Sequence, residues 1–81
     1  MARTVVVERE SEVRFLFHFS EASREFRERM IGWLKRRFDD IILLVDWRQI
    51  QDTLIVVVKR AEAAFAFTAL NQEIQRRALF K

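Results

Sequence analysis

Cysteine, proline and tyrosine are absent from these 81 residues, and glycine occurs once. Without cysteine the chain can form neither disulfides nor thiolate-metal centres, and its redox compartment stays open. A single histidine, His18, has no second imidazole with which to build a metal site. The lone Gly32 cannot shape a phosphate-cradling loop, and no Ser or Thr stands in a nucleophile elbow. Asp39 and Asp40 are adjacent at the end of a helical pattern, where they read as a stop signal rather than as an acid/base pair. Long apolar runs are missing too, which excludes a membrane-spanning helix. Met1-Ala2-Arg3-Thr4 leads directly into a strand-like run and lacks the features of a signal peptide. The expectation is a soluble, cytoplasmic-type protein with no catalytic function, cofactor, metal or small-molecule substrate.

What is present describes one globular domain spanning residues 1–81. A chain of this length buries roughly 60–65% of its unfolded surface, enough for one core. A hydrophobic share of 51% against 33% charged excludes disorder. The net charge of +3 and sequence pI near 10.2 raise the question of nucleic acid. The placement of the charges answers part of it. Lys35-Arg36-Arg37, Arg76-Arg77 and Lys81 lie at the ends of two helix-like segments, and Glu21, Glu25 and Glu62 near their starts, which complements the helix macrodipole.

The chain is organised around Val13-Arg14-Phe15-Leu16-Phe17-His18-Phe19. Alternation puts Val13, Phe15, Phe17 and Phe19 on one side of an extended strand, under which a thick apolar layer must lie. Thr4–Arg9 precedes it as a first strand, and Glu10-Ser11-Glu12 joins the two as a hairpin. No glycine occupies that turn, so a three- to five-residue loop is expected rather than a two-residue primed turn. Ser20 is the expected N-cap of a helix running to Phe38, with Ala22, Phe26, Met30 and Trp33 on its buried stripe and Leu34 flanking it. Gly32 inside this helix costs about 1 kcal/mol relative to alanine, which suggests close approach of a neighbour.

Ile41–Trp47 and Thr53–Arg60 follow as a second hairpin, then an alanine-rich helix from Ala61 with Ala63, Phe67, Leu70, Ile74 and Ala78 inward. The order is strand-strand-helix twice over. It predicts an α+β, two-layer ββαββα sandwich: a four-stranded sheet of order 1-2-4-3 with both helices on one face. Topologically this resembles a ferredoxin-like fold whose last strand has been moved to the front. Dipole-ordered charges, β-branched strands and the absence of Pro, Cys and Tyr also make the chain similar to a computationally designed domain. Neither resemblance brings functional residues with it.

The second face of the sheet is the anomaly. With Val5, Val7, Leu43 and Val45 turned to the helices alongside the phenylalanines, Val6, Leu16, Ile42, Leu44, Ile55 and Val57 project from the other side. Six such residues form a patch of several hundred Å², at or above what soluble monomers usually expose, rimmed by Arg14, His18, Asp46 and Lys59. β-propensity alone is one reading of these residues; a face-to-face homodimer is the other. Phe65, Phe80 and Ile31 fall off their helices' buried stripes and either extend such an interface or are partly covered at helix ends. An RNA-binding module is a further alternative, since sheet aromatics beside basic residues stack bases. Parity separates the two readings: outward Phe15 and Phe17 favour RNA, inward ones favour packing.

Overall fold

The computed structural model describes residues 2–79, so Phe80 and Lys81 lie outside the described residues. Four strands, β1 (Arg3–Glu8), β2 (Glu12–His18), β3 (Ile42–Arg48) and β4 (Thr53–Lys59), form one antiparallel sheet of order β1-β2-β4-β3. Two helices, α1 (Arg24–Arg37) and α2 (Ala63–Ala78), cover one face, and the ββαββα, α+β architecture read from the sequence is the one observed.

The core forms where the alternation of β2 demands it. Val13, Phe15, Phe17 and Phe19 are all buried, and each fully buried side chain of this size contributes roughly 1.5–3 kcal/mol. β4, the inner strand between β2 and β3, adds Leu54, Val56 and Val58 to the same layer. From above come Phe26, Met30 and Leu34 of α1 and Ala66, Leu70, Ile74 and Ala78 of α2. Aromatic rings knit the layer: Phe19 stacks on Trp47 at 5.1 Å and meets Phe26 edge-on at 5.6 Å, while Phe15 lies 5.2 Å from Phe67.

Several local expectations are corrected. Ser23, not Ser20, caps α1: its hydroxyl accepts the Phe26 N–H at 3.1 Å. Ile31, set off the buried stripe of α1 in the sequence pattern, packs against the core as a half-buried residue. The first hairpin reverses across Arg9–Glu12, with Glu8 paired to Val13, and neither Glu10 nor Ser11 takes a positive φ. Its closure is tertiary. Arg9 N–H donates to the Glu12 carbonyl (2.8 Å), while the Arg60 guanidinium donates to the Arg9 carbonyl (2.6 Å) and the Arg60 N–H to that of Ser11 (3.2 Å).

The second hairpin turns through Gln49–Asp52, where Gln51 (φ 62°) and Asp52 (φ 42°) both adopt left-handed backbone without being glycine. The Phe19 N–H donates to the Asp52 carbonyl at 3.0 Å and ties this turn to the end of β2.

Candidate functional site: the open face of the sheet

Register decides which side chains reach the uncovered face, because directly paired residues share a side. Leu16 pairs with Val5 on β1 and Ile55 on β4, and Ile55 with Asp46 on β3. One residue-pair along, Arg14 pairs with Val7 and Val57, and Val57 with Leu44. These two rows, Val5-Leu16-Ile55-Asp46 and Val7-Arg14-Val57-Leu44, are the centre of the face. Arg3, His18, Thr53 and Arg48 make the row at one end, and Glu12 with Lys59 the row at the other.

Leu16, Leu44, Ile55 and Val57 therefore stand together on the open face, where the sequence pattern put them. Val6 and Ile42 do not. Val6 pairs with Phe15 and lies on the helix side of β1, so the expected parity of that strand is reversed and Val5 and Val7 are the outward pair. A run of three valines carries no alternation, so nothing within it fixes the parity. Thr4 fixes it instead, by donating to Asn71 of α2 at 3.2 Å and accepting from Gln75 at 3.4 Å.

Ile42 is turned inward by a β-bulge. It pairs with Val58 and packs on the core, whereas Leu44 pairs with Val57; the extra residue, Leu43, is 53% exposed rather than buried as expected. A bulge leaves no distinctive mark in Ile41-Ile42-Leu43-Leu44-Val45, which is apolar at every position. Leu43, Leu44, Ile42 and Val45 line a shallow cavity with Lys35 and Asp39 at this edge.

The apolar surface is smaller than the residue count implies. Val57 and Ile55 keep only 3% and 8% of their accessibility although no element of the described chain lies above them, as expected for an inner strand flanked on both sides by neighbouring strands. Leu44 at 54% and Val5 at 41% carry the exposed area, with Leu16 and Val7 half-buried between them.

Several polar groups on the face make local contacts. Arg14 Nε donates to Glu12 at 3.0 Å along β2, and His18 Nδ1 lies 2.8 Å from the Thr53 hydroxyl, which donates to the Gln51 carbonyl at 3.4 Å. Asp46 accepts the N–H of the next residue, Trp47, at 2.8 Å.

Phe15 and Phe17 are fully buried beneath the helices, so among the described residues the face has no aromatic side chain except His18. Among the described residues, no group of three His, Cys, Asp or Glu side chains is placed to hold a metal ion, and no helix is long and apolar enough to cross a membrane. Phe65, on α2, is exposed away from this face, which adds nothing to the patch. The chain matches no family model, no curated protein and no solved structure.

Proposed function

We propose that this chain is a non-catalytic structural domain that self-associates through the open face of its sheet as a face-to-face homodimer. The observation that carries the reading is the contiguous block Val5, Val7, Leu16, Leu44, Ile55 and Val57, which no element of the described chain covers. The apolar pairs favour a second copy as the occupant. A two-fold axis running across the strands between the two central rows lays Val57 on Ile55 and Val7 on Val5, apolar on apolar. An axis along the strands would instead lay Val5 on Asp46 and Arg14 on Val57, burying charge against apolar side chains.

Area sets the strength of the association. Four strands at about 4.8 Å spacing and six residues at about 3.4 Å each give a face of about 400 Å² in projection. Stable complexes bury about 800 Å² per partner, so the dimer belongs at the weak end and its population follows concentration. The cap at Ser23 and the ordering of charge along α1, with the basic last turn of α2, agree with a chain assembled by design rules, for which a structural role without substrate is the simplest reading. The second reading, an RNA-binding module, lacks outward aromatics because Phe15 and Phe17 are buried.

Light scattering across a wide concentration range, in low and high salt, tests the proposal. Mass should rise from 9.8 kDa toward twice that value and persist in salt, since apolar burial is not screened. Leu44→Asp, which sets like charges against each other because this axis lays Leu44 on Asp46 of the second copy, should hold the protein monomeric with unchanged helical circular dichroism. A wild-type mass that stays at one chain throughout, or one that Leu44→Asp leaves unaltered, sinks the interface.

A further inference from the structure

On the opposite side of the molecule, where α1 and α2 run over the sheet, the surface between the helices is lined by arginine. One cavity of about 260 Å³ is walled by Phe26, Arg29 and Met30 from α1 and Arg76 and Arg77 from α2. A second, of about 370 Å³, adjoins it and shares Arg29 and Arg77, adding Glu28, Gly32, Trp33 and Arg36. Four guanidinium groups thus border one groove. Of the two carboxylates beside them, Glu28 is engaged by Arg24 at 3.1 Å and Glu73 by Arg76 at 2.6 Å. Arg29, Arg36 and Arg77 have no ion-pair partner among the described residues.

The macrodipole explains why basic residues sit in the last turn of a helix; it does not explain which face they occupy. Arg77 is only partly exposed and borders both cavities. Its guanidinium lies 3.9 Å over the Trp33 ring of the other helix, with its Nε–H turned inward. Guanidinium groups gathered around one groove repel each other unless an anion lies among them. The Glu73 carboxyl is held below the ordinary carboxylate range chiefly by its hydrogen bond from Arg76, with the charges of Arg77 and Arg37 adding to the effect.

We propose that this interhelical groove is a binding site for a small multiply charged phosphate compound, with Arg77 as its central, preoriented ligand and Arg29 and Arg36 closing on the anion from α1. Planar guanidinium groups recognise phosphate oxygens through paired N–H donors, and the cation–π contact with Trp33 fixes the plane of Arg77 before the ligand arrives. Phe26 and Met30 give the groove an apolar wall that strengthens the interaction by lowering the local dielectric. A small anion suits two short adjoining cavities; a nucleic-acid backbone needs a long basic track.

Inorganic pyrophosphate, titrated at low salt into the intact chain with ¹⁵N-detected Arg Nε and Trp33 indole resonances as readout, tests the site. Saturable shifts should centre on Arg77, Arg29 and Trp33, and Arg77→Gln and Arg29→Gln should each weaken binding at least tenfold. Arg3→Gln, on the open sheet face, should not change it, and thermal melts establish that each variant is folded. Linear shifts spread over all arginines, or equal affinity in Arg77→Gln, overturn the proposal. So does a single-stranded oligonucleotide that binds more tightly than pyrophosphate through the same arginines, since the occupant would then be a polymer.

Discussion

Gln75 of α2 holds the backbone of Ala2 at both of its hydrogen-bonding groups: its carboxamide oxygen accepts the Ala2 N–H at 2.8 Å and its Nε2 donates to the Ala2 carbonyl at 2.5 Å. The side chain imitates a neighbouring strand for the residue just before β1, an edge strand that the sheet pairs on one side only. Asn71 and Thr4 complete the cluster, with Thr4 donating to Asn71 at 3.2 Å and Gln75 at 3.3 Å from the same oxygen. This clasp ties residues more than 70 positions apart and sets which face of β1 looks at the helices.

Gln75→Ala should therefore lower stability by about 1–2 kcal/mol, the net value of two hydrogen bonds less a few tenths regained in helix propensity. The loss belongs to one edge, so amide exchange in β1 should speed up before that of β2 or β4. Urea melts read the first effect and native-state hydrogen exchange the second. A midpoint equal to that of wild type would mean that water replaces the carboxamide without cost.

The turn between β3 and β4 offers a gain instead. Gln51, at φ 62° and ψ 18°, occupies left-handed backbone that costs an L-residue roughly 1–2 kcal/mol, and no glycine relieves it. Gln51→Gly should raise stability by about 0.5–1 kcal/mol once the extra freedom of glycine in the unfolded chain is deducted. Gln51→Val, β-branched and intolerant of positive φ, should lower it. Denaturant midpoints that place the glycine variant below wild type would show that the strain at Gln51 is absent.

How much of this was legible beforehand follows from where the sequence alternates. β2 alternates strictly, and its Phe and Val residues are buried as the pattern requires; strand order and layer arrangement agree with the pattern, while the helix stripes agree in part, since Leu34 and Ala66 are fully buried and Trp33 and Phe67 only half so. β1 and β3 do not alternate, and both were misassigned in part. The parity of Val5-Val6-Val7 is decided by side chains 67 to 73 positions away, and the place of Ile42 by a bulge in an all-apolar strand. Of the six residues expected on the open face, Leu16 lies on β2 itself, Ile55 and Val57 on β4, which pairs directly with it, and Leu44 on β3 beyond the bulge. The helix cap was missed by three residues because Ser20 and Ser23 are equivalent as sequence signals, and only the Phe26 N–H at 3.1 Å from Ser23 distinguishes them. The arginine groove was hidden by a sufficient local explanation, since the macrodipole accounts for basic helix ends without reference to what they face.

The one glycine joins the groove to the stability of the fold. Gly32 sits within α1, where alanine would be favoured by about 1 kcal/mol, and a Cβ built there would meet Arg36 Nη1 at 3.2 Å. That separation is too short by a few tenths of an ångström, so the missing methyl is what lets the Arg36 guanidinium lie back along the helix beside Trp33 and Arg77. Because Arg36 is flexible at its far end, Gly32→Ala should cost no packing and should stabilise the protein by about 0.5–1 kcal/mol. The same change displaces a guanidinium that the groove uses, so pyrophosphate affinity should fall several-fold while the melting temperature rises. Opposite signs in the two measurements are the signature of a glycine retained for a site; a rise in stability with affinity unchanged would place Arg36 outside it.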